Sequence, residues 1–162
     1  MAGRHIPATT LPPALYTAEE RRRRDATPWT IVQGVLAPLQ FAIFLVSLVL
    51  VSRFLSTGEG ASAADLSVIA KTVALYAIMI TGSIWEREVF GHWLFAPAFF
   101  WEDVVSMGVI ALHTVYLVML LGELGTIEQR LLVALAGYAI YVVNAAQFLL
   151  KLRAARLQAT LS

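Results

Sequence analysis

Four apolar stretches, at about residues 29–55, 66–85, 99–121 and 131–150, each approach the roughly 20 residues that an α-helix needs to cross a bilayer. In lipid each backbone N–H and C=O has to be satisfied inside the protein, so stretches of this kind read as helices. The sequence therefore predicts an all-α, polytopic membrane protein with four transmembrane helices. The connections at 56–64, 86–98 and 122–130 are short, which makes consecutive helices antiparallel neighbours in a bundle. Composition agrees, since 59% of the residues are hydrophobic, against the roughly 45–50% apolar usage of soluble domains. The predicted organisation is an N-terminal segment 1–28, cytoplasmic and partly disordered, a four-helix membrane domain 29–157 and a tail 158–162. Residues 1–28 show no short apolar core with a small-residue cleavage site, so the first span is expected to act as its own insertion signal.

The formal net charge of +1 hides an asymmetry. Arg21, Arg22, Arg23 and Arg24 precede the first span and Lys151, Arg153 and Arg156 follow the last, whereas the first and third loops hold only Arg53 and Arg130. The positive-inside rule then puts both termini and the middle loop in the cytoplasm, an N-in, C-in topology. Charge of this kind reports orientation in a membrane and gives no sign of nucleic-acid binding. Trp29, Trp85, Trp93 and Trp101 all fall at that same interface, where an apolar ring with one N–H donor is well placed. Pro38 removes a backbone donor inside the first span and is expected to kink it or open it toward a partner. The chain has no cysteine, which excludes disulfides, thiolate nucleophiles and cysteine metal ligands.

Chemistry concentrates in residues 84–103, where two Trp-Glu pairs, Trp85-Glu86 and Trp101-Glu102, close one apolar segment and open the next. An ionisable group within the membrane costs roughly 2.5–3.5 kcal/mol at a helix centre, so such groups tend to face protein or water and to mark function. Glu102, Ser106, Val109, His113 and Tyr116 follow the spacing of one helical face. Gln33, Gln40 and Ser47 recur every seven residues on the first span, and Asn144, Gln147 and Lys151 share a face of the fourth. These stripes are expected to converge on a cavity open to the cytoplasm, with Lys71, His113 and Tyr116 deeper. Each feature also has a plainer reading. Lys71 could snorkel or pair with Asp65 or Tyr76, and His113 could bond across helices. Glu86 and Glu88 could form a surface cluster with Arg87, His92 could simply be solvated, and Glu102 with Asp103 suits a helix N-terminus. Adjacent carboxyls beside a tryptophan are nevertheless an arrangement suited to general acid chemistry near neutral pH. No P-loop, nucleophile elbow or zinc motif is present.

Several runs carry a resemblance: Pro28-Trp-Thr-Ile-Val-Gln-Gly-Val-Leu-Ala-Pro-Leu-Gln-Phe41, Ile84-Trp-Glu through Val89-Phe-Gly91, Leu94-Phe-Ala-Pro-Ala-Phe-Phe-Trp-Glu-Asp-Val104, Ala111-Leu-His-Thr114 and Tyr141-Val-Val-Asn-Ala-Ala-Gln-Phe148. Over roughly residues 15–157 the chain resembles the 3-vinyl bacteriochlorophyllide hydratases of phototrophic bacteria, also called 2-vinyl bacteriochlorophyllide hydratases. The resemblance implies a hydro-lyase of bacteriochlorophyll biosynthesis that converts the C3 vinyl group of chlorophyllide a, or of 3-vinyl bacteriochlorophyllide, to a 1-hydroxyethyl group. It implies water as co-substrate, the bacterial inner membrane as location, other pigment-synthesis enzymes as partners, and no cofactor beyond the magnesium that belongs to the tetrapyrrole.

Such a hydration needs an acid at the terminal vinyl carbon and a base for the water that attacks the neighbouring cation. Glu102 and Asp103 are the expected acid–base pair, with Glu86 a second candidate for activating water. His113, and after it His92, is the expected axial ligand to the substrate's magnesium. Arg87 or Lys151 would meet the propionate, while Ser106, Asn144, Gln147, Gln40 and Lys71 line the expected cavity. Two other classes stay open on the residues alone: a tetrapyrrole-binding subunit or assembly factor without activity, and a quinone- or haem-binding bundle. The second is weakened because His113 is the only histidine inside a predicted span.

Overall fold

The computed structural model describes residues 14–161, with side chains described to residue 157, and its elements are five helices. They are α1 (Ala18–Ala26), α2 (Trp29–Thr57), α3 (Ala61–Phe90), α4 (Phe100–Leu121) and α5 (Ile127–Leu161). The last four are long and apolar enough to cross a membrane. Expectations for residues 1–13 lie outside the described residues.

Local chemistry explains the boundaries, including those that hydropathy misplaces. Helix α1, which charge alone does not announce, starts at a capping box: Thr17 Oγ1 accepts from Glu20 N at 3.2 Å and Glu20 Oε2 accepts from Thr17 N at 2.7 Å. The same device opens α5, where Thr126 N donates to Gln129 Oε1 at 2.9 Å and Gln129 N to Thr126 Oγ1 at 3.2 Å. Helix α3 begins at Ala61 and runs to Phe90, beyond both ends of the apolar stretch. Glu86, Arg87 and Glu88 end the hydrophobicity but continue the helical hydrogen bonding, so Glu86 belongs to α3 and not to the loop. Gly58 and Gly60 make the α2–α3 turn tight by adopting φ of 73° and 84°, in the left-handed region. Helix α2 continues through Pro38, and Gly34, whose carbonyl loses its donor there, is exposed like Pro38 itself.

The bundle consists of two closely packed hairpins, α2 with α3 and α4 with α5, joined mainly through α3. This up-and-down order brings α1, the α3–α4 loop and the end of α5 to one end of the bundle, called the near end below. Bulky apolar side chains such as Ile31, Val46, Leu66, Ile80, Trp101 and Leu121 point outward. The interior holds Phe44, Val51, Val68, Val109, Leu131 and Tyr138, together with the polar Ser47, Lys71, Thr72 and His113. Apolar groups outside and polar groups within is the distribution that a lipid solvent favours.

At the far end Asp65 of α3 clasps the other hairpin. Arg130 Nε and Nη2 reach its two oxygens at 3.1 and 2.5 Å, and Tyr116 donates its hydroxyl hydrogen at 2.6 Å. A bidentate guanidinium–carboxylate pair is strong and directional. At the near end Tyr16, Val89 and Phe99 form a second apolar cluster with Trp85, Phe90 and Phe148. Tyr16 stacks on Phe90 at 5.7 Å and lies under the Arg24 guanidinium at 4.8 Å. Burial pushes its phenol above the ordinary value, against the opposing effect of Arg24. Thr27 also donates to Glu88, which holds the α1–α2 junction against α3.

Candidate active site

Three carboxyls meet at the near end, each 4–5% exposed: Glu86 on α3, and Glu102 and Asp103 on the first turn of α4. Successive residues on an α-helix point about 100° apart, so Glu102 and Asp103 turn to different neighbours. Asp103 faces α3, where its carboxyl lies beside that of Glu86, close enough for the two to interact. Ionised carboxylates are acceptors only, so a bond between two carboxyls requires a shared proton.

The α3–α4 loop holds this pair from its other side. Phe95 N donates to Asp103 Oδ2 at 2.8 Å, and Ala96 N donates to Glu86 Oε2 at 3.1 Å. Aiming two successive backbone N–H groups at two carboxyls puts Phe95 at φ 59°, a left-handed conformation that costs a residue with a Cβ roughly 1–2 kcal/mol. Loop and carboxyls therefore fix one another.

Glu102 faces α5. Lys151 Nζ lies 2.6 Å from its Oε2 and also donates to the Ala98 carbonyl. Asn144 Nδ2 donates to the Glu102 carbonyl and to Ser106 Oγ, each at 2.8 Å, and Ser106 donates to the same carbonyl at 2.8 Å. Gln147 lies on the α5 turn between Asn144 and Lys151, and its Oε1 is buried without a partner. Lys151 thus turns into the bundle, whereas the sequence reading placed it beside a propionate at the surface.

The remaining candidates separate into two groups. Lys71 and His113 lie fully buried in mid-bundle. The Lys71 ammonium has neither Asp65 nor Tyr76 as partner: it sits 3.4 Å from the centre of the Tyr141 ring and donates to the Gln40 carbonyl at 3.4 Å. Asp65 is taken by Arg130, and Tyr76 bonds Thr114 at 2.6 Å. His113 Nδ1 is 2.8 Å from the Val109 carbonyl, which makes it the donor nitrogen and leaves Nε2 buried without a partner. Gly137 makes room for the ring, because a Cβ there would lie 2.8 Å from it. Nearby, Tyr138 and Ser47 share a 2.5 Å hydrogen bond. In the second group, Arg87 and His92 are exposed on the outside of the near end, with Arg87 stacked over Trp93 at 4.9 Å.

The polar stripes thus meet in two tiers and not in one common cavity. Open space lies beside the near-end tier, as a hollow of about 440 Å³ lined by Ala14, Leu15 and Glu20 on one side and Phe90, His92, Pro97 and Ala98 on the other. That volume is within the roughly 300–1,000 Å³ of small-molecule sites. Pro97 and Ala98 line the hollow, and the residue before them, Ala96, donates to Glu86. Sequence reasoning did not identify the Glu86–Asp103 and Glu102–Lys151 pairings or the two loop N–H donors. The shared face of Asn144 and Lys151 was the one signal pointing to Glu102.

Comparison with known proteins identifies the family. A family model described as 2-vinyl bacteriochlorophyllide hydratase (BCHF) matches residues 16–154. The chain is 65% identical over 147 residues to the 2-vinyl bacteriochlorophyllide hydratase of Rhodobacter capsulatus, a match covering 90% of this chain and 85% of that protein. It is 61% identical over 144 residues to the protein of the same name from Cereibacter sphaeroides, covering 88% of this chain and 89% of that one. No solved structure matches the chain at a significant level. The matched region takes in α2, α3, α4 and most of α5, the α3–α4 loop and every carboxyl of the near-end tier, and the chain belongs to the 2-vinyl bacteriochlorophyllide hydratase family.

Proposed function

We propose that this chain is a hydro-lyase of bacteriochlorophyll biosynthesis that adds water to the vinyl group of chlorophyllide a or its bacteriochlorin counterpart, giving a 1-hydroxyethyl group. The observation that carries the mechanism is the burial of Glu86 and Asp103 side by side, an arrangement that favours one proton shared between them. That proton goes to the terminal vinyl carbon, leaving a cation at the carbon attached to the ring, where the macrocycle delocalises it. Water attacks this carbon, and the ion-paired carboxylate of Glu102 takes the proton that water gives up. Protonation at the terminal carbon is favoured because the alternative cation has no conjugation with the ring.

The pigment sits in the near-end hollow, its flat face against Phe90 and its vinyl edge toward the Ala96–Glu86 contact. His92 lines that space and is the better axial partner for the substrate's magnesium, since His113 is enclosed between α4 and α5. The exposed Arg87 receives the propionate. The clustered arginines and lysine of the near end support placing it in the cytoplasm.

The test is to incubate purified protein in detergent with chlorophyllide a and follow mass and absorption. A product heavier by one water, blue-shifted by loss of vinyl conjugation, is expected. Tight binding with the pigment recovered unchanged would contradict the proposal and point to a pigment-handling role.

A further inference from the structure

Hydration requires a positioned water as well as an acid, and the near end leaves one buried acceptor incomplete. Gln147 Oε1 is closed off from solvent and has no hydrogen-bond partner. Buried polar atoms are rarely left so, and internal waters commonly complete them. The residues on either side of it along this face of α5 both reach Glu102: Asn144 Nδ2 is 2.8 Å from its carbonyl and Lys151 Nζ 2.6 Å from its Oε2. Spaced i, i+4, Gln147 and Lys151 are neighbours on the helix surface. An ammonium carries three hydrogens. Two of those on Lys151 go to Ala98 O and Glu102, and the third remains for another acceptor.

We infer that Gln147 and Lys151 hold the water that is added to the vinyl group, an inference that rests on the hydratase reading above. The water accepts from the third Lys151 hydrogen and donates one hydrogen to Gln147 Oε1. Its second hydrogen points to the Glu102 carboxylate, and its remaining lone pair attacks. The step balances without an oxidant or reductant. The vinyl π pair becomes a C–H bond using the proton from Glu86–Asp103, and the oxygen lone pair forms the C–O bond. The water's second proton passes to Glu102 and from there to solvent, from which the acid pair is recharged. An amide oxygen does not take the proton, so Gln147 is a positioning residue.

The two half-steps can be separated in heavy water. Protonation alone is reversible and returns vinyl pigment carrying deuterium at its terminal carbon, whereas capture by water gives the alcohol. The Gln147→Met variant, similar in volume but without the acceptor, is expected to bind chlorophyllide a and melt like the parent protein. Its hydration should fall by roughly 10²-fold, the order of loss from a misplaced reactant, while terminal deuterium exchange persists. Gln147→Glu, which keeps an acceptor oxygen, should retain most of the hydration. Unchanged hydration in Gln147→Met would overturn the inference, as would hydration and exchange falling together. If the parent protein binds pigment but neither exchanges nor hydrates it, the hydratase reading fails and the water site fails with it.

Discussion

Glu102 and Asp103 are adjacent in sequence yet belong to different interactions, the first with Lys151 and the second with Glu86. Reading the sequence, their adjacency made them a natural acid–base pair. The helix separates them by about 100°, and the partner of each comes from a residue about 17 or 49 positions away, which a single sequence does not display. The burial of Glu86, Glu102, Asp103 and Asn144 was legible, because costly acids and amides on inward-facing stripes stand out in an apolar chain. Their pairing was not. The Glu102–Lys151 pair can be separated from the chemistry by a double substitution. Glu102→Gln leaves a mostly buried ammonium uncompensated and should lower stability by about 2 kcal/mol, below the usual 3–5 kcal/mol for breaking a buried pair because Lys151 is still 25% exposed. Adding Lys151→Met should restore the melting temperature but not the hydration rate. Recovery of both in the double variant would mean that Glu102 is not the base.

Among the helices, the spans were legible from hydropathy, whereas their ends followed capping chemistry. Thr17 with Glu20 and Thr126 with Gln129 are helix starts visible in the sequence, and they fix α1 and α5 where hydrophobicity is silent. Among the described residues the ion pair that joins the two hairpins lies at the far end, between Asp65 and Arg130, with Tyr116 bonded to the same carboxylate. Both charged side chains of that tie are only 14–15% exposed, so Arg130→Ala should cost roughly 3–5 kcal/mol. Thermal unfolding in detergent checks the loss. Because the lock lies at the opposite end from the carboxyls, turnover measured well below the new midpoint should stay close to that of the parent protein. A large fall in turnover there, with stability intact, would show that the lock acts on the chemistry.

The whole molecule is organised by end, with the Asp65–Arg130 ion pair at one and the buried carboxyl cluster at the other. The proposed sidedness can be tested directly because the chain lacks cysteine. A membrane-impermeant maleimide should label Glu59→Cys, in the α2–α3 turn, from outside intact cells, but Arg153→Cys only after lysis. The reverse pattern would place the acid site on the outer face. The account as a whole depends on the Glu86–Asp103 pair supplying the proton, and its most direct test is turnover of chlorophyllide a in heavy water by Glu86→Gln and Asp103→Asn. Both variants are predicted to bind pigment and to lose hydration and terminal-carbon deuterium exchange together, by roughly 10²–10⁴-fold. Undiminished exchange and hydration in either variant would contradict the account.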